Sequence, residues 1–417
     1  MEVKGRKNIV IIGGSYGGVS IAHSLLKHAL PSLPNANEFR IILISTAATA
    51  LNRPACPRAL ISDDFFPQDK LFVDIPTIFQ PYAPSDLFEF RKATVISLDH
   101  TERVITVELA TGEVAHLPFY AAIIATGATQ QSPLLGLSHD ESHLRDVWQK
   151  FRTALPKAEK IVIAGGGPSA IETAGELGEY LNGRAGPFRP KPQHPKVDIT
   201  VISSAANILP QLRNSIAESA ELYLAQVGVT VLKGAAVKST RPENVGTSLD
   251  NLTAPCTVTL ANGHIFQADL YIPAYGWHPN TSFLPPTLLA PDGRVKVNPK
   301  TLRVDIAGPR IYAIGDAASA QRAAVHLTLA AVPILAANIK RDLLLDHGLQ
   351  TQAAPADREL KVDTSETQLV PIGKGKGVGA FMGWRMPSIV VYWLKGRDYW
   401  LWTLGDLWSG KQWEKET

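Results

Sequence analysis

The stretch Asn8–Gly18, NIVIIGGSYGG, decides the fold. Its first half is a short apolar run rich in isoleucine and valine that ends on glycine, which reads as a buried strand entering a tight turn. Beyond it, Val19, Ala22, Leu25 and Leu26 recur at helical spacing, and Arg40–Ile44, RIILI, is a second buried strand. Strand, glycine turn, helix and strand within 45 residues form the βαβ unit of a doubly wound parallel sheet. The unit recurs. Lys160–Ala170, KIVIAGGGPSA, opens a helical stretch reaching about Leu181, and Asp198–Ile202, DITVI, supplies its second strand.

The glycines have a chemical reading because of where they sit. Gly13-Gly14-Ser15-Tyr16-Gly17-Gly18 fits GxGxxG with Ser15 at the middle glycine position, and Gly165-Gly166-Gly167-Pro168-Ser169-Ala170 reads GxGxxA. Between a buried strand and a helix N-terminus, such a turn brings backbone amides up to a dinucleotide pyrophosphate. Serine is small enough to stand there and can donate a hydrogen bond. Neither second strand ends in the carboxylate that accepts from an adenosine ribose: Ile44 is followed by Ser45, and Ile202 by Ser203-Ser204. NADH and NADPH therefore both stay open, with Arg213 as a cation within reach of a 2′-phosphate.

Composition excludes several classes. Hydrophobic residues at 45% and charged residues at 19% are globular proportions, and a formal charge of +3 without a run of like charges argues against nucleic acid as a partner. Cys56 and Cys256 are the only cysteines and form no CxxC pair, so both read as buried thiols and no dithiol chemistry follows. No metal site is expected. The nearest candidate for a membrane span, Leu327–Ile339, is too short and contains Pro333. A first strand at Asn8 and Glu2 after Met1 argue against a signal peptide and N-myristoylation, so a cytoplasmic location is the expectation.

Leu181–Val197, with Gly183, Gly186, Pro187, Pro190, Pro192 and Pro195, reads as a surface loop. Thr94–Leu109 and Thr257–Asp269 read as small antiparallel ribbons, taken as crossover elements, and a breaker-rich segment at Thr351–Arg358 precedes a tail of different composition.

These residues resemble the two-dinucleotide-fold FAD/NAD(P)-dependent oxidoreductase family, in the branch similar to apoptosis-inducing factor, its mitochondrion-associated relative and the ferroptosis suppressor flavoprotein. Besides both glycine turns, the resemblance rests on Ala125-Thr126-Gly127 after an apolar strand and on Ile311–Ala317, IYAIGDA. It covers nearly the whole chain. It implies an α/β protein of two Rossmann-like domains: an FAD domain from residues 1–130 and 271–350, an NAD(P)H domain inserted at 131–270, and a C-terminal α+β subdomain at 359–417. By the same resemblance, Gly13, Gly14, Ser15, Gly17, Gly18, Thr126, Gly127 and Asp316 surround FAD, with Arg58 touching the flavin and Val95 the adenine. Gly165, Gly167 and Ala170 hold NAD(P)H, and Glu172 stands near the nicotinamide. Asp316 also fits a helix N-cap, Arg58 a surface cation, and Glu176, one turn after Glu172, a helix-packing role.

Six of the eight tryptophans follow residue 380: Trp384, Trp393, Trp400, Trp402, Trp408 and Trp413, with Lys395, Arg397 and Lys411 among them. Packing over the flavin and contact with a membrane interface both use such residues. The resemblance makes Lys395 and Trp400 face the flavin or the acceptor. The expected function is hydride transfer from NADH or NADPH through FAD to a small acceptor, a quinone foremost. The alternatives are a tailoring oxidoreductase of a specialised-metabolite pathway and a nucleotide-sensing signalling or cell-death flavoprotein. Peripheral membrane contact and a homodimer stay open.

Overall fold

A computed structural model describes residues 6–186, 189–346, 348 and 355–416. The Met1-Glu2 start, Pro187 and the beginning of the Thr351–Arg358 segment lie outside the described residues.

The apolar run Lys7–Ile12 becomes the third strand of a seven-stranded sheet, in spatial order Ile311–Ala313, Ala121–Ile124, Lys7–Ile12, Phe39–Ser45, Phe88–Asp99, Val104–Leu109 and Val114–Pro118. The first five pair in parallel and the last three form an antiparallel extension. Both faces of the parallel part are covered, which is why Ile9, Val10, Ile11 and Ile12 run apolar without alternation. A second, four-stranded parallel sheet runs Val229–Leu232, Asp198–Ile202, Lys160–Ala164 and Leu270–Pro273. Its strands fall between Ala121–Ile124 and Ile311–Ala313 in the chain, so the second unit is inserted in the first.

Three sequence expectations are corrected. Leu270–Pro273 belongs to the inserted sheet, so a boundary at 270/271 would cut through a buried strand. The ribbons at Thr94–Leu109 and Thr257–Asp269 are part of their own domains; the passages between domains are Ala128–Gln130 and Trp277–Pro279, which pair antiparallel with each other. The tail, too, is not one body. The three-stranded antiparallel sheet Gln368–Ile372, Lys376–Phe381 and Trp384–Arg385 shares a core with the inserted unit, whereas Leu404, Leu407, Trp408 and Trp413 pack on the first unit. The first docking requires Gly175: a Cβ there would stand 2.8 Å from the Ile372 Cα. The second is held by polar contacts, His23 Nε2 to the Trp408 carbonyl at 2.9 Å and Lys27 Nζ to that of Gly410 at 2.8 Å.

Candidate functional site

The first glycine turn is built by close approach. The Gly13 amide donates to the Ile44 carbonyl at 2.8 Å, and with φ at +119° a Cβ on Gly13 would sit 2.3 Å from the Ala125 carbonyl oxygen. Gly18 is pressed onto the Gly13 carbonyl in the same way, and Gly17 faces Ile314 and Thr328. Ser15, by contrast, is exposed at the N-cap of the Tyr16–Ser24 helix, with no capping hydrogen bond from its side chain. The packed glycines thus hold the turn, and the Ser15 side leaves a helix N-terminus open to an anion.

Around this turn the expected residues have different placements. Asp316 lies in a one-turn Gly315–Ala317 segment, and the next helix begins only at Val325, so it is not that helix's cap. Among the described residues its carboxylate receives no hydrogen bond; Arg53 Nη1 lies 4.0 Å away, and burial raises its pKa. A desolvated carboxylate lacking donors beside an open helix N-terminus fits a ligand that brings a pyrophosphate and hydroxyl groups, as FAD does. Val95 lies on the Phe88–Asp99 strand beyond its pairing with Phe39–Ser45, at an irregular register between Val95 and Ser97. The Thr126 hydroxyl is turned to the protein, donating to the Asn280 carbonyl at 2.7 Å, so its side chain secures the domain passage, while Gly127 has open space around it.

At the second turn, Gly165 has φ +137° and a Cβ there would meet the Ala274 carbonyl oxygen at 2.4 Å. Ala170 packs beneath it. Gly167 caps the Pro168–Asn182 helix with nothing within 4 Å of its Cβ position, which repeats the open approach at Ser15. Arg213 is not available to a 2′-phosphate: its guanidinium donates to Glu366 and to the Gly383 carbonyl.

The Pro168–Asn182 helix carries Glu172, Glu176 and Glu179 at positions i, i+4 and i+7, hence on one face. Lys395 Nζ donates to Glu172 Oε1 at 2.5 Å and to the Leu369 carbonyl at 3.0 Å, and lies 4.9 Å from the Trp400 ring centre. Burial pushes the Glu172 carboxyl up while Lys395 pulls it back, leaving its pKa at about 7. Glu176 accepts from Arg58 Nε and Nη2, each at 2.8 Å, and from the Tyr399 hydroxyl at 3.0 Å. Arg58 also donates to the Arg397 carbonyl at 3.1 Å and stacks 4.9 Å from the Tyr399 ring centre. Arg58 is therefore not a surface cation: its donors go to a buried ion pair with Glu176 and to the Arg397 carbonyl. Arg53 is the arginine that reaches Asp316, and sequence reasoning missed it.

A hydrogen-bonded line joins the two centres. The Tyr16 hydroxyl donates to Asn52 at 2.7 Å, and Asn52 donates to the Tyr399 carbonyl at 2.9 Å. Tyr399 and Trp400 both have positive φ, +52° and +68°, a strained conformation for aromatic residues that costs on the order of 1–3 kcal/mol each. Such strain is kept where surrounding contacts over-determine the backbone, and here it turns Trp400 towards Lys395.

Residues 7–333 match the pyridine nucleotide-disulphide oxidoreductase family. The chain belongs to that family. Oxidoreductase phnG of Penicillium herquei is 54% identical over 98% of each chain, and ferroptosis suppressor protein 1 of Mus musculus 26% identical over 94% of each. Among solved structures, the sulfide:quinone oxidoreductase of Aquifex aeolicus has the same fold, with a TM-score of 0.68 at 18% identity, over 97% of this chain and 92% of that one. FAD and NADH or NADPH are accordingly the cofactors of this family member, an FAD-dependent oxidoreductase, and its two glycine turns suit them.

Proposed function

We propose that this oxidoreductase passes the reducing equivalents of NAD(P)H to a quinone or a similarly conjugated carbonyl compound. The observation that carries the reading is the buried Glu172–Lys395 pair beside Trp400. FAD, when bound, supplies the two-electron transfer between nicotinamide and acceptor. Reducing a quinone to a hydroquinone takes two electrons and two protons. NAD(P)H brings both electrons and one proton, so one more proton has to come from water in each turnover. A carboxyl titrating near neutrality is suited to that exchange. Lys395 places a cation where charge builds on an acceptor oxygen, and Trp400 offers a flat face to a conjugated ring. Anaerobic reduction by NADH and by NADPH, followed by mixing with menadione, tests the reading. Fast reoxidation is the expected result, and an enzyme that NAD(P)H reduces but menadione leaves reduced refutes it. Both nucleotides are expected to work, because Ser203 and Ser204 present neither a carboxylate nor a cation to the 2′ position.

The tail favours a second proposal, attachment of a cytoplasmic enzyme to an anionic lipid surface. Trp408 and Trp413 are buried, but Trp384 is 79% exposed, Trp402 57% and Trp393 55%, and Met382 and Ile389 are exposed with them. Arg397 lies 5.7 Å from the Trp393 ring centre and 5.6 Å from that of Trp402. Indoles with guanidinium groups match the headgroup region of such a surface, and among the described residues no helix is long and apolar enough to cross a membrane. Co-sedimentation with phosphatidylserine vesicles but not with phosphatidylcholine vesicles is expected. No sedimentation with either, or a dimer whose interface covers these tryptophans, rules it out.

A further inference from the structure

Asn52 is a polar side chain only 1% exposed, set between the first unit and the tail. Its backbone is fixed first: the amide donates to the Leu71 carbonyl at 2.9 Å, and the carbonyl accepts from the Ala55 amide at 2.9 Å. Its carboxamide is then held at both ends. Oδ1 accepts from the Tyr16 hydroxyl at 2.7 Å, and Nδ2 donates to the Tyr399 carbonyl at 2.9 Å, 347 residues away in the chain. The reverse orientation would set the amide oxygen against the Tyr399 oxygen, two acceptors with no proton between them, so one orientation alone satisfies both partners. The Tyr399 carbonyl belongs to the peptide that joins two left-handed residues, Tyr399 at φ +52° and Trp400 at +68°. On either side that turn is held locally. The Tyr399 amide donates to the Lys395 carbonyl at 2.6 Å, and the Thr403 amide and hydroxyl donate to the Trp400 carbonyl, each at 2.9 Å. Asn52 holds the middle from another part of the chain.

We infer that Asn52 is a positioning residue of the acceptor site, which through the Tyr399–Trp400 peptide sets the Trp400 indole beside Lys395; the inference rests on the quinone reading above. Left-handed backbone is unfavourable for residues that carry a Cβ, so the pair relaxes to an ordinary conformation unless the peptide between them is restrained. With Nδ2 removed, the buried Tyr399 carbonyl loses that donor, and turning the peptide relieves both the strain and the missing bond. The Tyr399 side chain cannot follow, because its hydroxyl is tied to Glu176 at 3.0 Å. The movement therefore falls on Trp400, whose half-buried indole has the Lys395 ammonium 4.9 Å from its ring centre. An indole displaced from there no longer offers its face to a conjugated ring, whereas the first glycine turn, Glu172 and Lys395 keep their places. Asn52 thus governs the binding of a ring-bearing acceptor and leaves the supply of electrons from NAD(P)H alone.

The experiment uses FAD-loaded wild type, Asn52→Leu, Trp400→Leu and the double variant. Each is reduced anaerobically with NADH or NADPH, then mixed with increasing menadione or with ferricyanide, an electron acceptor that has no ring to stack. Asn52→Leu is expected to raise half-saturating menadione about five- to tenfold, the factor one well-placed aromatic contact contributes, while reduction by NAD(P)H and reoxidation by ferricyanide stay within about twofold. Trp400→Leu is expected to lose at least as much, and Asn52→Leu to add nothing to it in the double variant, since a residue acting through Trp400 then has nothing left to position. A second readout needs no acceptor. In enzyme labelled with fluorotryptophan, the fluorine resonance missing from Trp400→Leu is expected to move in Asn52→Leu, with that of Trp384 unmoved. The inference is overturned by unchanged menadione saturation in Asn52→Leu or in Trp400→Leu, by losses that multiply in the double variant, by an equal loss with ferricyanide, or by an unmoved Trp400 resonance. Asn52→Ser, too short to reach the Tyr399 carbonyl, replaces Asn52→Leu should that variant not retain FAD. Loss of FAD from both, with Trp400→Leu retaining it, makes Asn52 a support of the first unit and also overturns the inference. A wild type that reduces ferricyanide but not menadione overturns the quinone reading first, whereas a wild type saturated by menadione beside an indifferent Asn52→Leu overturns this inference alone.

Discussion

Removing the Arg58 guanidinium is expected to loosen all three parts of the chain at once. Arg58 and Glu176 have side chains only 4% and 3% exposed, and they come from the Cys56–Ala59 turn of the first unit and the Pro168–Asn182 helix of the inserted one. The Tyr399 hydroxyl joins them from the tail. In Arg58→Met the carboxylate keeps Tyr399 but loses both charge-assisted bonds, and a buried charge so abandoned costs about 3–5 kcal/mol. The same physics predicts a recovery. Replacing Glu176 as well, in Arg58→Met/Glu176→Met, removes the unpaired charge and leaves apolar volume among Phe66, Tyr399 and their neighbours, so the double variant is expected to be more stable than Arg58→Met by at least about 2 kcal/mol. Urea unfolding of FAD-loaded enzyme, followed by tryptophan emission at saturating FAD so that ligand linkage is constant, measures both. If Arg58→Met costs less than about 1 kcal/mol, or the two substitutions simply add, the pair is not the buried, mutually dependent unit described here.

Two further outcomes are expected. The Glu172 pKa is raised from 4.5 to about 7, so the folded state holds a proton across that window; its stabilising contribution is complete below pH 4.5 and is lost as pH rises through 7. The melting-temperature difference between wild type and Glu172→Gln should therefore fall over that range and be flat above it, and a flat difference throughout would contradict the assignment. Gly13→Ala should fold with little or no bound flavin, since its Cβ would collide with the Ala125 carbonyl at a φ of +119°, whereas Ser15→Ala at the exposed N-cap should keep it with at most about tenfold weaker affinity. Flavin absorbance per chain after gel filtration decides between them.

The sheets and the two turns were legible because their causes are local. A β-branched run such as Ile9–Ile12, followed by glycines at fixed offsets, states its own burial and its own backbone conformation. The insertion was legible through the family resemblance, whose motif order the chain follows. The cluster of buried glutamates was legible only in part. Glu172 could be named, but its partner lies 223 residues away, and the partner of Glu176 118 residues away on the other side. The pairing of Arg58 with Glu176 was not legible, because no local pattern tells an arginine bound for a buried glutamate from one bound for a cofactor. A usable signal existed in the row Glu172, Glu176, Glu179 on a helix that also holds Ile171, Ala174 and Leu177 in the core: two buried acids and a half-buried third on one face demand basic partners. The tryptophans divided for a reason composition does not carry. Trp408 and Trp413 pack on the core of the first unit, Trp408 against Tyr16, while Trp384 lies on the last strand of a sheet that shares a core with the inserted unit, and Trp393 follows it, both exposed.

Two glutamates one turn apart on one helix thus have unlike fates, and the number of donors each receives explains the difference. Glu176 is gripped by a guanidinium through two bonds and by a tyrosine hydroxyl, so its charge is fully compensated and it serves to join three parts of the chain. Glu172 receives one lysine, which it shares with the Leu369 carbonyl. Equal burial with less compensation leaves a carboxyl that can gain or lose a proton near neutral pH. The rigid pair fixes where Tyr399 stands, and Tyr399 with Trp400 fixes the wall beside Lys395. The electrostatically satisfied acid therefore supplies the framework for the unsatisfied one, to which the proposed reaction assigns proton exchange, and neither arrangement would survive exchanging their partners.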